Sequence, residues 1–336
     1  PEAILAATDQ LENMCRHDAD EIVRATALPA LICLSTTDET SAKACSVLHK
    51  CLQDDDWRVR TAAAAASSQL VGSFPRLSLK LLTPLSEAHR NARGGVRQAA
   101  HKALSAVRQT IPTLLKEAYK KQYATIPSFF SSAEAPWPIR EAYLPISIQD
   151  RKAVRAREQQ PSPTQESKSL ATQNELALTA LFDGCDAAKE ARTVLLVGAA
   201  GMGKTTLCHK LAYAWAQGRW YATKFEAVYL LPVRHLTKAK YHGGDLRSRH
   251  NLETVIAQEC FGAQNRDDDA FEALVDYLKH QLEERSERVL LIIDGLDERQ
   301  DASEALIEQA LRRGNHAYRL LVGRPYGAEA ERNKLL

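Results

Sequence analysis

The stretch that most constrains this chain is residues 198–206, which read GAAGMGKTT. It follows an apolar run at 193–197 and precedes a helical pattern that begins at Lys204. The spacing of its glycines, lysine and threonine is that of a P-loop, whose backbone N–H groups surround phosphate. Its three glycines permit the unusual dihedral angles and the close approach that such a loop needs. The alternative is a glycine turn without a ligand, but the strand before it and the helix after it favour phosphate binding.

The polar side chains of this loop each suit one part of a nucleotide. Lys204 would place a positive charge near the β and γ phosphates, and Thr205 would offer its hydroxyl to Mg²⁺. The helix that starts here adds the positive end of its dipole. The candidate nucleotide-binding residues of the loop are Gly198, Ala199, Gly201, Met202, Gly203, Lys204, Thr205 and Thr206.

A second motif follows the apolar run at 288–294, which ends in Asp294 and continues as GLDE. A carboxylate at the end of a buried strand suits Mg²⁺, which keeps several waters and takes few protein ligands. Asp294 is therefore a candidate Mg²⁺ ligand opposite Thr205, and Asp297 or Glu298 could orient an attacking water. An acidic surface turn is the alternative interpretation of this segment.

The C-terminal part of the chain alternates between two kinds of pattern. Near-continuous apolar runs predict strands that are buried on both faces, at 193–197, 227–233, 288–294 and 319–323. Helical patterns separate them, at 204–217, 252–259, 270–284 and 302–312. This order predicts a P-loop α/β domain with a parallel sheet, whose ligands bind at the C-terminal edge of the strands.

The first third of the chain contains a repeat. Val23, Val59 and Val96 stand in similar surroundings 36 and then 37 residues apart, and each begins an Ala-rich apolar helix. Acidic residues precede the first two of these helices. The pattern resembles HEAT repeats, in which stacked helix pairs form a solenoid. A surface that binds a protein partner and a structural spacer are both open interpretations.

We predict three segments: helical repeats at 1–118, a connector with a mobile loop at 119–172, and the P-loop domain at 173–336. The connector is rich in proline, and its residues 159–169 are low in apolar content. Two segments could touch nucleic acid, the basic cluster at 151–157 and HGGDLRSRH at 242–250. Solvated charges explain both better, so we do not expect nucleic-acid binding.

Composition excludes several classes of protein. The 44 Lys and Arg nearly balance the 42 Asp and Glu, which argues against a surface built wholly for nucleic acid. The seven cysteines lack metal-site spacing and indicate a reducing cytoplasm. No apolar run is long enough to span a membrane, and no secretory signal is evident. The start at Pro1 and the end within a helical pattern suggest an excerpt of a longer protein.

The motifs GAAGMGKTT, LLIIDGLDE and LLVGRP together resemble the NACHT family of STAND-class nucleotide-binding proteins, relatives of the NLR immune receptors. The glycine after Asp294 and the two acids that follow have the family's form. Residues 225–236 are similar to its second strand. Residues 143–146 are similar to the segment that enters the domain near the adenine, which implies that Tyr143 and Pro145 contact the base.

The resemblance implies roles for single residues. Lys204 and Thr205 would contact phosphate and Mg²⁺, Asp294 would be the Walker B acid, and Arg324 would sense the γ-phosphate. The candidate catalytic residues are Lys204, Asp297, Glu298 and Arg324. The family usually has Ser or Thr before the Arg-Pro pair, whereas Gly323 stands here, so a hydroxyl contact would be missing. A strand-ending turn is the alternative for Arg324, and the family's winged-helix region would lie beyond Leu336.

The function implied is a cytoplasmic signalling switch in immunity or cell death. It would bind ATP or ADP with Mg²⁺, hydrolyse ATP slowly, form homo-oligomers on activation and contact a protein partner through its helical repeats. The chain has no Asn-Lys-x-Asp guanine motif, which favours ATP over GTP. Two alternatives are a scaffold protein with a permanently bound structural nucleotide and a fast ATPase that remodels a substrate.

Overall fold

The computed structural model describes residues 2–126, 137–139, 178, 181–182, 192–236, 251–262, 269–312 and 316–325. Its chain divides into two compact units. The helical unit comprises Pro1–Glu117 and Ala257–His280, and the α/β unit comprises Ala118–Ile256 and Gln281–Leu336. The predicted boundary at 172/173 lies outside the described residues, so the three-segment division stays a prediction.

Helix pairs build the N-terminal segment. The helices are α1 (Glu2–His17), α2 (Glu21–Leu34), α3 (Asp38–Cys51), α4 (Trp57–Ser73), α5 (Ser78–Asn91) and α6 (Gly94–Gln122), with a short 3-10 turn at Pro75–Leu77. Val23, Val59 and Val96 are each the third residue of the second helix in a pair. The predicted repeat is therefore confirmed as three helix pairs, the last of which ends with the long helix α6.

The acidic residues before the repeat helices begin those helices. Asp20 accepts a hydrogen bond from the Ile22 backbone N–H, and Asp56 accepts one from that of Arg58. A side-chain acceptor at this position satisfies an N–H group that the helix leaves unpaired. Asp54 instead links two repeats, because both of its carboxylate oxygens accept from the Arg24 guanidinium at 3.1 Å.

The apolar positions of the repeats form one buried core. Leu28, Leu48, Leu70 and Leu85, from four successive helices, are fully buried. Burial of each such side chain contributes roughly 1.5–3 kcal/mol. The stacked pairs therefore depend on leucine packing more than on the ion pairs at their surface.

We expect Leu28→Ala to destabilise the helical unit by roughly 2–5 kcal/mol, because it leaves a cavity in a close-packed core. Ile22→Ala is the matched control, since Ile22 lies on the same helix and is 56% exposed. Its effect should stay within about 0.5 kcal/mol. Urea denaturation followed by far-UV circular dichroism measures both variants. Equal losses in the two would contradict the assignment of the core.

The α/β unit combines a short antiparallel ribbon with a larger parallel sheet. The ribbon pairs β1 (Thr125–Ile126) with β2 (Trp137–Pro138). The other strands are β3 (Thr193–Val197), β4 (Ala227–Pro232), β5 (Val289–Asp294) and β6 (Tyr318–Gly323). The helices that lie between these strands in the sequence are α7 (Lys204–Ala216), α8 (Val233–Leu236), α9 (Leu252–Phe261), α10 (Asp269–Glu284) and α11 (Asp301–Arg312). The second half of α9 and most of α10 belong to the helical unit.

The sheet is parallel in the order β3-β6-β5-β4. Its register aligns the C-terminal ends of the strands, with Val197 beside Gly323, and Asp294 between Val322 and Pro232. The predicted fold class is confirmed, and the predicted strands agree with the observed ones to within one residue. The alignment brings the segments that follow β3, β5 and β6 to one edge of the sheet.

The residues at the end of α6 pack within the α/β unit. The Tyr119 hydroxyl accepts a hydrogen bond of 3.0 Å from the Leu230 backbone N–H on β4, the outermost strand on that side of the described sheet. The Tyr119 ring contacts Trp215 edge-on, and Tyr123 stacks on His209 with ring centroids 4.5 Å apart. These contacts attach the start of the predicted connector to the helix that follows the P-loop.

Over the described residues, no helix combines the length and the apolar character that a membrane span requires.

Candidate functional site

The P-loop is folded around its own lysine. Gly201 and Gly203 have φ angles of +78° and +77°, a conformation that favours glycine. Gly198 is not left-handed. A Cβ atom there would lie 3.5 Å from Cδ of Lys204, which is ordinary van der Waals contact. The Lys204 ammonium donates hydrogen bonds of 2.8 Å to the carbonyl oxygens of Gly198 and Ala199.

Helix α7 begins directly at this loop. Its N-cap is Gly203, and no side-chain acceptor caps its first turn. The N–H groups of that turn and the Lys204 ammonium are therefore the donors that the loop offers to an anion. This donor set fits the phosphates of a nucleotide, as the sequence predicts.

Asp294 ends β5 and lies close to the first turn of α7. It is 7% exposed, and its carboxylate accepts hydrogen bonds from the side chains of Thr205 and Cys208. Burial raises the pKa of Asp294 above its ordinary value, and the nearby charge of Glu298 raises it further. The two hydrogen bonds and the charge of Arg234 lower the pKa in part. The effect of burial is the largest, so the pKa stays raised and the ionised carboxylate is destabilised in the folded chain.

The pair of Thr205 and Asp294 fits a magnesium ion. A hydroxyl and a carboxylate oxygen are hard ligands, and Mg²⁺ takes one or two such groups beside phosphate and water. Within the described part of the chain, no group of three or more His, Cys, Asp or Glu side chains could hold a metal. A cation here would therefore share its ligands with the nucleotide, and its charge would relieve the strain at Asp294.

Backbone hydrogen bonds join the three segments at the sheet edge. The Gly198 N–H donates to the Gly323 carbonyl at 3.2 Å, and the Gly295 N–H donates to that of Val322 at 2.9 Å. The end of β6 thus lies between the P-loop and the segment after β5. Arg324 follows immediately, and it is placed beside the P-loop by this backbone arrangement.

The side chain of Arg324 is paired with Asp297. Its Nε donates to one carboxylate oxygen at 2.9 Å, and its backbone N–H donates to the other at 2.8 Å. The sequence suggests Asp297 as a residue that orients water. In the structure both of its oxygens bind Arg324 instead, which leaves Glu298 as the more accessible of the two acids.

Gly323 has a steric reason at this position. A Cβ atom would lie 3.2 Å from Cβ of Leu296 and 3.3 Å from Oδ1 of Asp297. Such distances are tighter than ordinary van der Waals contact, so the glycine permits the close approach of Asp297. The Ser or Thr that is usual in the resembling family would crowd Leu296 and Asp297 at this position.

Glu298 reaches back towards the end of β5. Gly295 has a φ angle of +86°, and a Cβ atom there would lie 3.2 Å from the Glu298 carboxylate. The 3-10 turn at Leu296–Glu298 therefore folds this acid over Gly295, near Asp294. The position suits a residue that orients water beside the phosphates.

The structure thus gathers most of the predicted site at one sheet edge: Gly198, Lys204, Thr205, Asp294, Asp297, Glu298 and Arg324. Tyr143 and Pro145 lie outside the described residues, as do 151–157 and 242–250, so the predictions for them stay open. Sequence reasoning did not find Cys208 or Arg234. Cys208 is four residues after Lys204, a spacing that places both on one helix face, but nothing marks a thiol there as a partner of Asp294.

Two parts of the chain match the models of known families. Residues 192–324 match the family model of the NACHT domain, and residues 8–105 match that of HEAT repeats. The chain carries a NACHT domain preceded by HEAT repeats. Both resemblances drawn from the sequence are therefore confirmed.

The curated relatives are members of the NLR group. The chain is 32% identical to Protein NLRC5 of Mus musculus over 158 residues, which are 47% of this chain and 7% of that protein. It is 32% identical to NACHT, LRR and PYD domains-containing protein 1a allele 5 of Rattus norvegicus over 121 residues, 35% of this chain and 8% of that protein. It thus spans less than a tenth of the length of these relatives.

The raised pKa of Asp294 predicts how the NACHT domain responds to pH. Between the unfolded and the higher folded pKa, the folded chain binds more protons than the unfolded chain, so the ionisation of Asp294 lowers stability as pH rises. We expect Asp294→Asn to raise the melting temperature of the nucleotide-free chain at pH 7. The gain should vanish as pH falls through the folded pKa towards the ordinary value of 3.8.

Differential scanning fluorimetry from pH 4 to pH 8 measures this effect. Glu308→Gln is the control, because the ion pair between Glu308 and Arg312 is exposed. Its melting temperature should follow that of the unchanged chain. A loss of stability in Asp294→Asn at pH 7 would contradict the strain assigned to this carboxylate.

Proposed function

We propose that this chain is the nucleotide-binding part of a STAND-class signalling switch that binds ATP or ADP with Mg²⁺. The proposal is supported by the hydrogen bond between Gly198 and Gly323, because Arg324 follows Gly323 directly in the chain. A P-loop alone supports only phosphate binding. A cationic side chain at its border supports discrimination between two and three phosphates.

The residues divide into two groups by what they could contact. The N–H groups of α7 would bind phosphates that ATP and ADP share, Lys204 would lie near the β and γ phosphates, and Thr205 with Asp294 would hold Mg²⁺. Arg324 would respond to the γ-phosphate. A ligand shifts a conformational equilibrium only through contacts that differ between the two states, so Arg324, together with Lys204 and Mg²⁺, could make ATP and ADP different signals.

Hydrolysis would reset such a switch. Glu298 would orient the attacking water, because it is exposed, whereas Asp297 is half-buried and paired with Arg324. A switch needs only slow turnover. We therefore propose weak ATPase activity, with Lys204 and Arg324 stabilising charge on the phosphates.

The biological setting follows from the relatives and is part of the proposal. NACHT domains of the NLR group suggest a cytoplasmic role in innate immunity, with self-association in the ATP-bound state. The HEAT repeats suit contact with a protein partner. The absence of a candidate span among the described helices is compatible with this setting.

Lys204→Ala should abolish the binding of both ADP and ATP, since it removes the cation that the loop surrounds. Fluorescent ADP followed by anisotropy, with unlabelled ATP as competitor, measures both affinities. We expect a loss of at least about 100-fold, the scale of a charge-assisted phosphate contact in a shielded loop. Lys102→Ala, an exposed lysine on α6, is the control for charge and should bind normally.

Unchanged affinity in Lys204→Ala, with circular dichroism showing a folded chain, would overturn the proposed function. Tightly bound ADP that never exchanges with added nucleotide would instead favour the scaffold with a structural nucleotide. Turnover faster than nucleotide exchange would favour an ATPase that remodels a substrate.

A further inference from the structure

We propose that Asp297 is a latch that holds Arg324 away from the nucleotide until a third phosphate competes for it. This inference rests on the proposed function, and it assigns Asp297 a positioning role rather than the orientation of water. The latch consists of the two hydrogen bonds from Arg324 to the Asp297 carboxylate. It predicts that Asp297 sets the preference of the switch for ADP over ATP.

The latch grips Arg324 at two points of one residue. The backbone N–H and the Nε of Arg324 bind different oxygens of the same carboxylate at 2.8 and 2.9 Å. The contact therefore holds both the backbone and the guanidinium group of Arg324. Such charge-assisted pairs are stronger than neutral hydrogen bonds.

Strand order gives the latch its direction. β6 lies between β3, which leads into the P-loop, and β5, which leads into the turn that carries Asp297. Arg324 follows β6 and bonds to the β5 side. Asp297 thus draws the guanidinium to the opposite side of β6 from the loop that follows β3.

Exposure makes the latch reversible. The side chain of Arg324 is 55% exposed, whereas that of Asp297 is 16% exposed. Solvent weakens the pair, so the multiple charge of a nearby phosphate can compete with one carboxylate for the guanidinium. The acid is the fixed half of the pair, and the arginine is the half that can move.

Gly323 leaves room for the Asp297 carboxylate in the latch. A methyl group at this position would lie 3.3 Å from Oδ1 of Asp297, the oxygen that accepts from the Arg324 backbone. Gly323 has no left-handed φ angle, so alanine fits its backbone. Gly323→Ala would therefore loosen the latch while leaving every charge in place.

The test is the ratio of the affinities for a non-hydrolysable ATP analogue and for ADP, both measured with Mg²⁺ by competition against fluorescent ADP. Asp297→Asn should raise this ratio by roughly three- to tenfold, because Arg324 no longer has a charged partner to leave. Gly323→Ala should raise it less. Glu308→Gln, which breaks an exposed ion pair elsewhere, should leave it unchanged.

An unchanged or lowered ratio in Asp297→Asn would overturn the latch. The proposed function would still stand if nucleotide binding depended on Lys204.

A second measurement needs no nucleotide. The melting temperatures of Asp297→Asn, Arg324→Gln and the double variant form a cycle, and the losses should be non-additive if the two side chains interact. Additive losses would show that the pair contributes nothing, and the latch would fail on that result also.

Discussion

The alignment of the parallel strand ends is the constraint on which the candidate site depends. Because β3, β6 and β5 are hydrogen-bonded in register, Val197, Gly323 and Asp294 finish at nearly the same level. The segments that follow must then share one edge, and the bond between Gly198 and Gly323 ties two of them together. A slip of register between parallel strands would separate the P-loop lysine from the acid that complements it. The candidate phosphate site therefore depends on the register of the sheet and not on residues 198–206 alone.

Two charged groups at this edge of the sheet are held mainly by neutral hydrogen-bond partners. Asp294 is buried, and its pKa is raised by that burial although Thr205 and Cys208 donate to it. Lys204 meanwhile bonds to neutral carbonyl oxygens of its own loop. The Asp294 carboxylate and the Lys204 ammonium are thus each held by neutral partners, which stabilise a charge less than an opposite charge would. A nucleotide bound with Mg²⁺ would supply both charges, since its cation suits the carboxylate and its phosphates suit the lysine. Arg324 differs, because Asp297 already satisfies it.

Sequence patterns predict the elements of this structure well and the contacts between them poorly. The strands follow from apolar runs such as 289–294, because burial on both faces leaves no place for polar residues. The repeat follows from the recurring valines, because equivalent helices bury equivalent faces. The pairing of Asp297 with Arg324 could not be predicted, since it joins residues 27 positions apart and depends on how the chain turns after two strands. The same limit explains why the packing of Tyr119 against β4 was missed.

Hydrogen–deuterium exchange tests the nucleotide site and the γ-phosphate sensor together, because it measures the P-loop and the end of β6 in one experiment. We expect Mg²⁺ with ADP to slow exchange at residues 198–206. Mg²⁺ with a non-hydrolysable ATP analogue should slow it there and also alter exchange at residues 295–298 and 322–325. Indistinguishable exchange with the two nucleotides at the latter segments would contradict a γ-phosphate sensor. Unchanged exchange at 198–206 with either nucleotide would contradict the nucleotide site itself.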